Sequence, residues 1–77
     1  MSNDYKERQF LDLLAKRIAV LRRQKGMTQE KLAAEANIDR VALANIETGK
    51  RRPTVTTIYR ISYALGVKVE EIFKKVQ

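Results

Sequence analysis

The sequence predicts an all-α fold of five helices, four of them short. Apolar residues recur at a period of about 3.6 along nearly the whole chain, which is the spacing of one face of a helix. The first four periodic stretches are each bracketed by a capping residue in front or a Gly or Asn behind. One run, Thr54-Val55-Thr56-Thr57-Ile58-Tyr59, has the β-branched character of a strand, but it leads straight into a helical pattern. At 77 residues, with no internal repeat or long linker, the chain reads as one domain spanning residues 1–77.

The first helix is expected from about Tyr5 to Lys25. Asp4 and Glu7 suit a capping box at its start. Phe10, Leu14, Ile18 and Leu21 form one apolar stripe at i, i+4, i+8 and i+11, facing a core. Arg22, Arg23 and Lys25 sit where cations suit the helix dipole, and Gly26 is the stop. The second helix opens on Thr28 as N-cap, with Leu32, Ala33 and Ala36 inward, and breaks at Asn37-Ile38.

Asp39 caps a third helix that runs to about Thr48 and stops at Gly49. Lys50-Arg51-Arg52-Pro53 is a short basic loop. The fourth helix starts near Thr54, buries Ile58, Ile61 and Leu65, and stops at Gly66. A fifth, over about 67–76, presents Val69, Ile72, Phe73 and Val76 as a stripe at i, i+3, i+4 and i+7.

Composition excludes several chemistries. There is no Cys, so disulfides, thiolate zinc sites and cysteine nucleophiles are out. There is no His, the commonest general base and metal ligand. Ser2 and Ser62 therefore have no imidazole to activate them. The glycines are placed as helix stops and form no phosphate loop. No enzyme, cofactor or metal site is expected.

The longest aliphatic run, Ile18-Ala19-Val20-Leu21, is far shorter than the roughly 20 residues of a membrane span. The polar start, Met1-Ser2-Asn3-Asp4, is no signal peptide, so the expected compartment is the cytoplasm. Lys plus Arg is 16 against 9 Asp plus Glu, a net charge of +7, which favours a polyanionic partner. Charge alone does not separate nucleic acid from an acidic membrane surface.

The third helix separates them better. At about 100° per residue, Leu43 and Ile46 fix the buried direction. Val41, Ala44, Asn45 and Thr48 then point outward, with Arg40 at the leading edge. Such a face is small and apolar rather than a solvated charge surface. In a DNA major groove Arg holds guanine O6 and N7, Asn holds adenine N6 and N7, and Val or Ala touches the thymine methyl. The plainer alternative is a weakly amphipathic helix with a stray exposed Val.

Taken in order, these motifs closely resemble the XRE helix-turn-helix family of Cro and phage repressors. The resemblance covers about Ile18 to Phe73. It rests on Leu21-Arg22, on Gly26-Met27-Thr28-Gln29-Glu30-Lys31-Leu32-Ala33, and on Ile38-Asp39 and Leu43. It continues through Ile46-Glu47-Thr48-Gly49-Lys50, Pro53, Ile58, Leu65-Gly66-Val67 and Ile72-Phe73. The chain is also similar to the small controller proteins of restriction–modification systems. The resemblance implies a compact five-helix, repressor-like DNA-binding domain with its helix-turn-helix at about 28–48, acting as a homodimer to regulate transcription.

Carried over residue by residue, the resemblance makes Arg40, Val41, Ala42 and Asn45 base readers. Gln29, Thr48, Lys50, Arg51 and Arg52 become DNA-backbone contacts. Where the family's turn usually has Gly, this chain has Asn37, the best other residue for positive φ. Glu47 is an anion at the C-terminal end of a helix, where the dipole disfavours it, and close to the implied phosphates. The family pairs it with the position that Arg22 occupies, a structural salt bridge. Two-fold symmetry puts two recognition helices about 34 Å apart on a pseudo-palindromic operator.

Val69, Ile72, Phe73 and Val76 exceed what one short helix needs for its own docking. They are the expected dimer interface, with the end of the fourth helix. Tyr59 and Tyr63 fall on that helix's outer side, where exposed Tyr often marks an interface. A protein–protein module, an antitoxin-like adaptor, is the alternative function. A membrane-surface binder would carry its basic residues along one helix, whereas here they are spread over several elements. No small-molecule ligand is expected.

Overall fold

The computed structural model describes residues 4–76. Its elements are α1 (Asp4–Gln24), α2 (Gln29–Ala36), α3 (Arg40–Glu47), α4 (Val55–Leu65) and α5 (Val69–Ile72). No strand occurs among the described residues. The polar start at Met1, Ser2 and Asn3 lies outside them, and so do any partners those residues give the expected cap of α1.

Side-chain caps set the starts of α2, α3 and α4, whereas Lys68, before α5, makes no such bond. Thr28 Oγ1 accepts from Lys31 N at 3.0 Å, and Thr54 Oγ1 accepts from Thr57 N at 3.1 Å. Asp39 Oδ2 accepts from Val41 N at 3.0 Å and Ala42 N at 3.2 Å. The ends of α1 to α4 share one device. The amides of Met27, Ile38, Lys50 and Val67 each donate to the carbonyl five residues back, at 2.9–3.1 Å. The residue before each amide, Gly26, Asn37, Gly49 or Gly66, has positive φ. This is the Schellman closure, in which a left-handed residue folds the chain back onto the last free carbonyls. At Asn37, φ 56° and ψ 47° are met without glycine.

α2 packs on α3 and α4, α1 on α3 and α5, and α4 on α5. Ile18, Leu32, Leu43, Ile61 and Ile72 meet at the centre, each with no exposed surface. Burying one such side chain contributes about 1.5–3 kcal/mol, and truncating it to Ala costs about 2–5 kcal/mol. α5 is further pinned to α1. Arg17 Nε donates to the Glu71 carbonyl at 2.9 Å, and Arg17 Nη2 lies 3.6 Å from Glu71 Oε1. A hydrogen bond from Lys74 holds the Glu71 carboxyl below the usual carboxylate range.

Two expectations are corrected. Phe10 is not a core residue: it is 40% exposed and lines an open apolar groove beside Val55 and Tyr59. The fifth helix does not run to Val76. It closes at Ile72, and the chain turns through Phe73, Lys74 and Lys75, with φ 63° at Lys75. That turn carries Val76 into the core, where it is 1% exposed.

Candidate nucleic-acid interface

The short α2 and α3 meet across the left-handed turn at Asn37 and the Asp39 cap. Leu43 and Ile46 anchor α3 in the core. The opposite face is open: Arg40 and Val41 are exposed, Val41 by 57%, while Ala42, Ala44 and Asn45 are partly exposed. Thr48 is exposed as well, but its hydroxyl donates to the Ala44 carbonyl at 3.0 Å. The basic loop follows immediately. The Asn45 carbonyl accepts from Lys50 N and Arg51 N, which ties the loop's backbone to α3. A cleft of about 280 Å³ runs between the two, lined by Asp39 and Ala42 on one side and Arg51, Arg52 and Pro53 on the other.

Beneath the end of α3 lies a charged clamp. Arg22 Nε donates to Glu47 Oε2 at 2.7 Å and Arg22 Nη2 donates to Glu47 Oε1 at 3.1 Å. The side chains are 11% and 3% exposed. Arg22 Nη1 donates to the Met27 carbonyl at 2.8 Å, so one guanidinium joins the end of α1, the α1–α2 turn and α3. Gln29 completes the clamp by donating from Nε2 to Glu47 Oε1 at 3.0 Å. The sequence points to Gln29 as a DNA-backbone contact but does not announce this second one. Its signal was Glu47 itself, a buried carboxylate that needs several donors.

The residues expected at a dimer interface separate into two groups. Ile72 and Val76 are fully covered by the chain's own core, so neither offers surface to a partner. Val69 and Phe73 are 38% and 39% exposed and line an apolar groove of about 490 Å³ with Phe10, Val55 and Tyr59. Phe10 and Val55 were missed there. Phe10 carries the phase of the core stripe, and Val55 lay in the strand-like run. Tyr63 stacks on Tyr59, with ring centroids 6.2 Å apart.

Among the described residues no group of acidic side chains could hold a metal, and no helix is long and apolar enough to cross a membrane.

Two short helices joined by a tight turn, with the second presenting an open face beside a basic loop, define a helix-turn-helix protein. The chain belongs to the XRE-type helix-turn-helix family, whose model matches residues 18–72. The HTH-type transcriptional regulator y4dJ of Sinorhizobium fredii is 42% identical over 60 residues, covering 78% of each chain. The restriction–modification controller protein C.AhdI of Aeromonas hydrophila superimposes with a TM-score of 0.81 at 32% identity, covering 82% of this chain and 96% of that one. The controller protein C.Esp1396I, solved as a tetramer with its natural 35 base-pair operator, superimposes at 0.80 and 33% identity, covering 87% and 88%.

Proposed function

We propose that the chain is a sequence-specific DNA-binding transcription regulator of the cytoplasm, gripping a pseudo-palindromic operator as a homodimer with α3 in each major groove. The observation that carries this is the open face of α3. Arg40, Val41, Ala42 and Asn45 offer a fork, two apolar contacts and an amide, which match the edges of guanine, thymine and adenine. Lys50, Arg51 and Arg52 stand at its foot, where cations fit phosphates. Thr48 can join them once its hydroxyl turns from the Ala44 carbonyl, since a phosphate only accepts. Gln29 braces Glu47 with one amide proton and keeps the other for a phosphate, and the Arg22–Glu47 pair aims the helix without touching a base.

The homodimer fits the apolar groove at Val69 and Phe73. The likeness to C.Esp1396I, itself solved on an operator, supports the same use of the fold. No catalysis, cofactor, membrane contact or small-molecule ligand enters this reading.

Selection of bound sequences from random duplex DNA, with the footprint recorded, tests it. Enrichment of an inverted repeat with half-sites about 34 Å apart is expected. Retention of unrelated duplexes alike, or of none, overturns it. The same groove also favours a second reading, an antitoxin-like adaptor that docks another protein. That reading predicts duplex binding that is absent or insensitive to salt, whereas phosphate contacts make it fall steeply with salt.

A further inference from the structure

The first turns of α1 precede the family-matched span, which begins at residue 18, yet they lie against the end of α3 and the basic loop. Arg8 Nη2 donates to the Gly49 carbonyl, and Arg8 is held in turn by Asp12 at 3.3 Å. The fit at Gly49 is close: a Cβ there would stand 2.7 Å from Asp12 Oδ1 and 3.1 Å from Arg8 Nη2. One residue before Arg8, Glu7 Oε1 lies 3.4 Å from Arg52 Nη2. Among the described residues, Arg52 is the one cation of the loop with a carboxylate at this distance; Lys50 and Arg51 have none.

We infer that Glu7 occupies Arg52 in place of a DNA phosphate and so limits the grip of the loop on any duplex. The inference rests on reading the loop as a phosphate contact. A carboxylate and a phosphate offer Arg the same oxygen geometry, so they compete for one guanidinium. Both partners are well exposed, at 74% for Arg52 and 60% for Glu7, so the exchange is easy. Once Arg52 swings to a phosphate, Glu7 is left as an unpaired anion facing the DNA backbone. The Arg8–Gly49 contact is what keeps it there, by fixing α1 beside the loop. Glu7 is thus an affinity-setting residue outside the helix-turn-helix itself.

The test is a double-mutant cycle on binding to a duplex of arbitrary sequence across a salt series. The four proteins are the wild type, Glu7→Gln, Arg52→Ala and the double mutant, each checked for folding by thermal melt. Glu7→Gln is expected to tighten binding about two- to fivefold at moderate salt. It should also steepen the log–log salt slope by up to about 0.9. In the Arg52→Ala background the same change should do nothing. An equal gain in both backgrounds would mean that Glu7 acts only through net charge, and no gain in either would mean that it does not compete; each overturns the inference. If the wild type binds no duplex, the proposed function falls with it. Steep, salt-sensitive wild-type binding with an additive cycle removes this inference alone.

Discussion

Arg22 and Glu47, 25 positions apart, form a two-pronged ion pair that bolts the last turn of α3 to the end of α1. Both charges are nearly out of solvent, and Gln29 and the Met27 carbonyl take up further hydrogen-bonding capacity. Removing one partner strands the other, which costs about 3–5 kcal/mol in a buried pair. Arg22→Met and Glu47→Gln should each lower the melting temperature strongly, and the double mutant should lose much less than their sum. Simple additivity in the melts would show that the two residues do not act together.

Arg40 leaves the first turn of α3, directly after the Asp39 cap, with its side chain exposed. If it reads guanine, Arg40→Ala should cost about 1–3 kcal/mol per half-site and relax preference at one base pair of each. Arg40→Lys keeps the charge but loses the planar fork, so it should restore only part of that preference. A panel of single-base operator variants decides: uniform weakening across the panel, or full rescue by Lys, would assign Arg40 to phosphate.

Arg51 and Arg52 should act differently. Replacing both with Ala removes the counterion release of Arg51 in full and that of Arg52 only in so far as Glu7 leaves it free, so the log–log salt slope should flatten by about 0.9 to 1.8. Binding to all duplexes should weaken alike. A changed sequence preference in the double mutant would mean that the loop reads bases or groove shape.

Val69 and Phe73 test the dimer without disturbing the core. Phe73→Asp should leave helicity intact and produce monomers in sedimentation runs, whereas Val76→Asp, inside the core, should unfold the chain. The interface is wrong if the wild type sediments as a monomer at high micromolar concentration.

The helices were legible in the sequence because their signals are local. A Thr or Asp cap, a Gly or Asn stop and a 3.6-residue phase each act within a few residues. They placed α2, α3 and α4, and the inward faces of Leu32, Leu43 and Ile61. What failed depends on distant neighbours. Phe10 has the phase of Leu14 and Ile18, but phase does not say which neighbours cover a residue, and Phe10 faces an open groove between α1, α4 and α5. Val76 was assigned to helical surface because the left-handed Lys75, which turns it inward, has no glycine to announce it. The Gln29 contact and the Glu7–Arg52 pair join segments 18 and 45 residues apart. No spacing rule reaches that far.

The recurring closure at Gly26, Asn37, Gly49 and Gly66 has a kinetic consequence. The amides of Met27, Ile38, Lys50 and Val67 sit in connections, yet each is bonded to the helix before it. Such an amide exchanges with solvent only when the end of its helix frays, so these connections have no independent opening of their own. The turn before α3 and the loop after it are therefore ordered before any partner arrives. Little backbone entropy remains to be lost on docking, only that of exposed side chains, and encounter need not wait for a loop to find its shape.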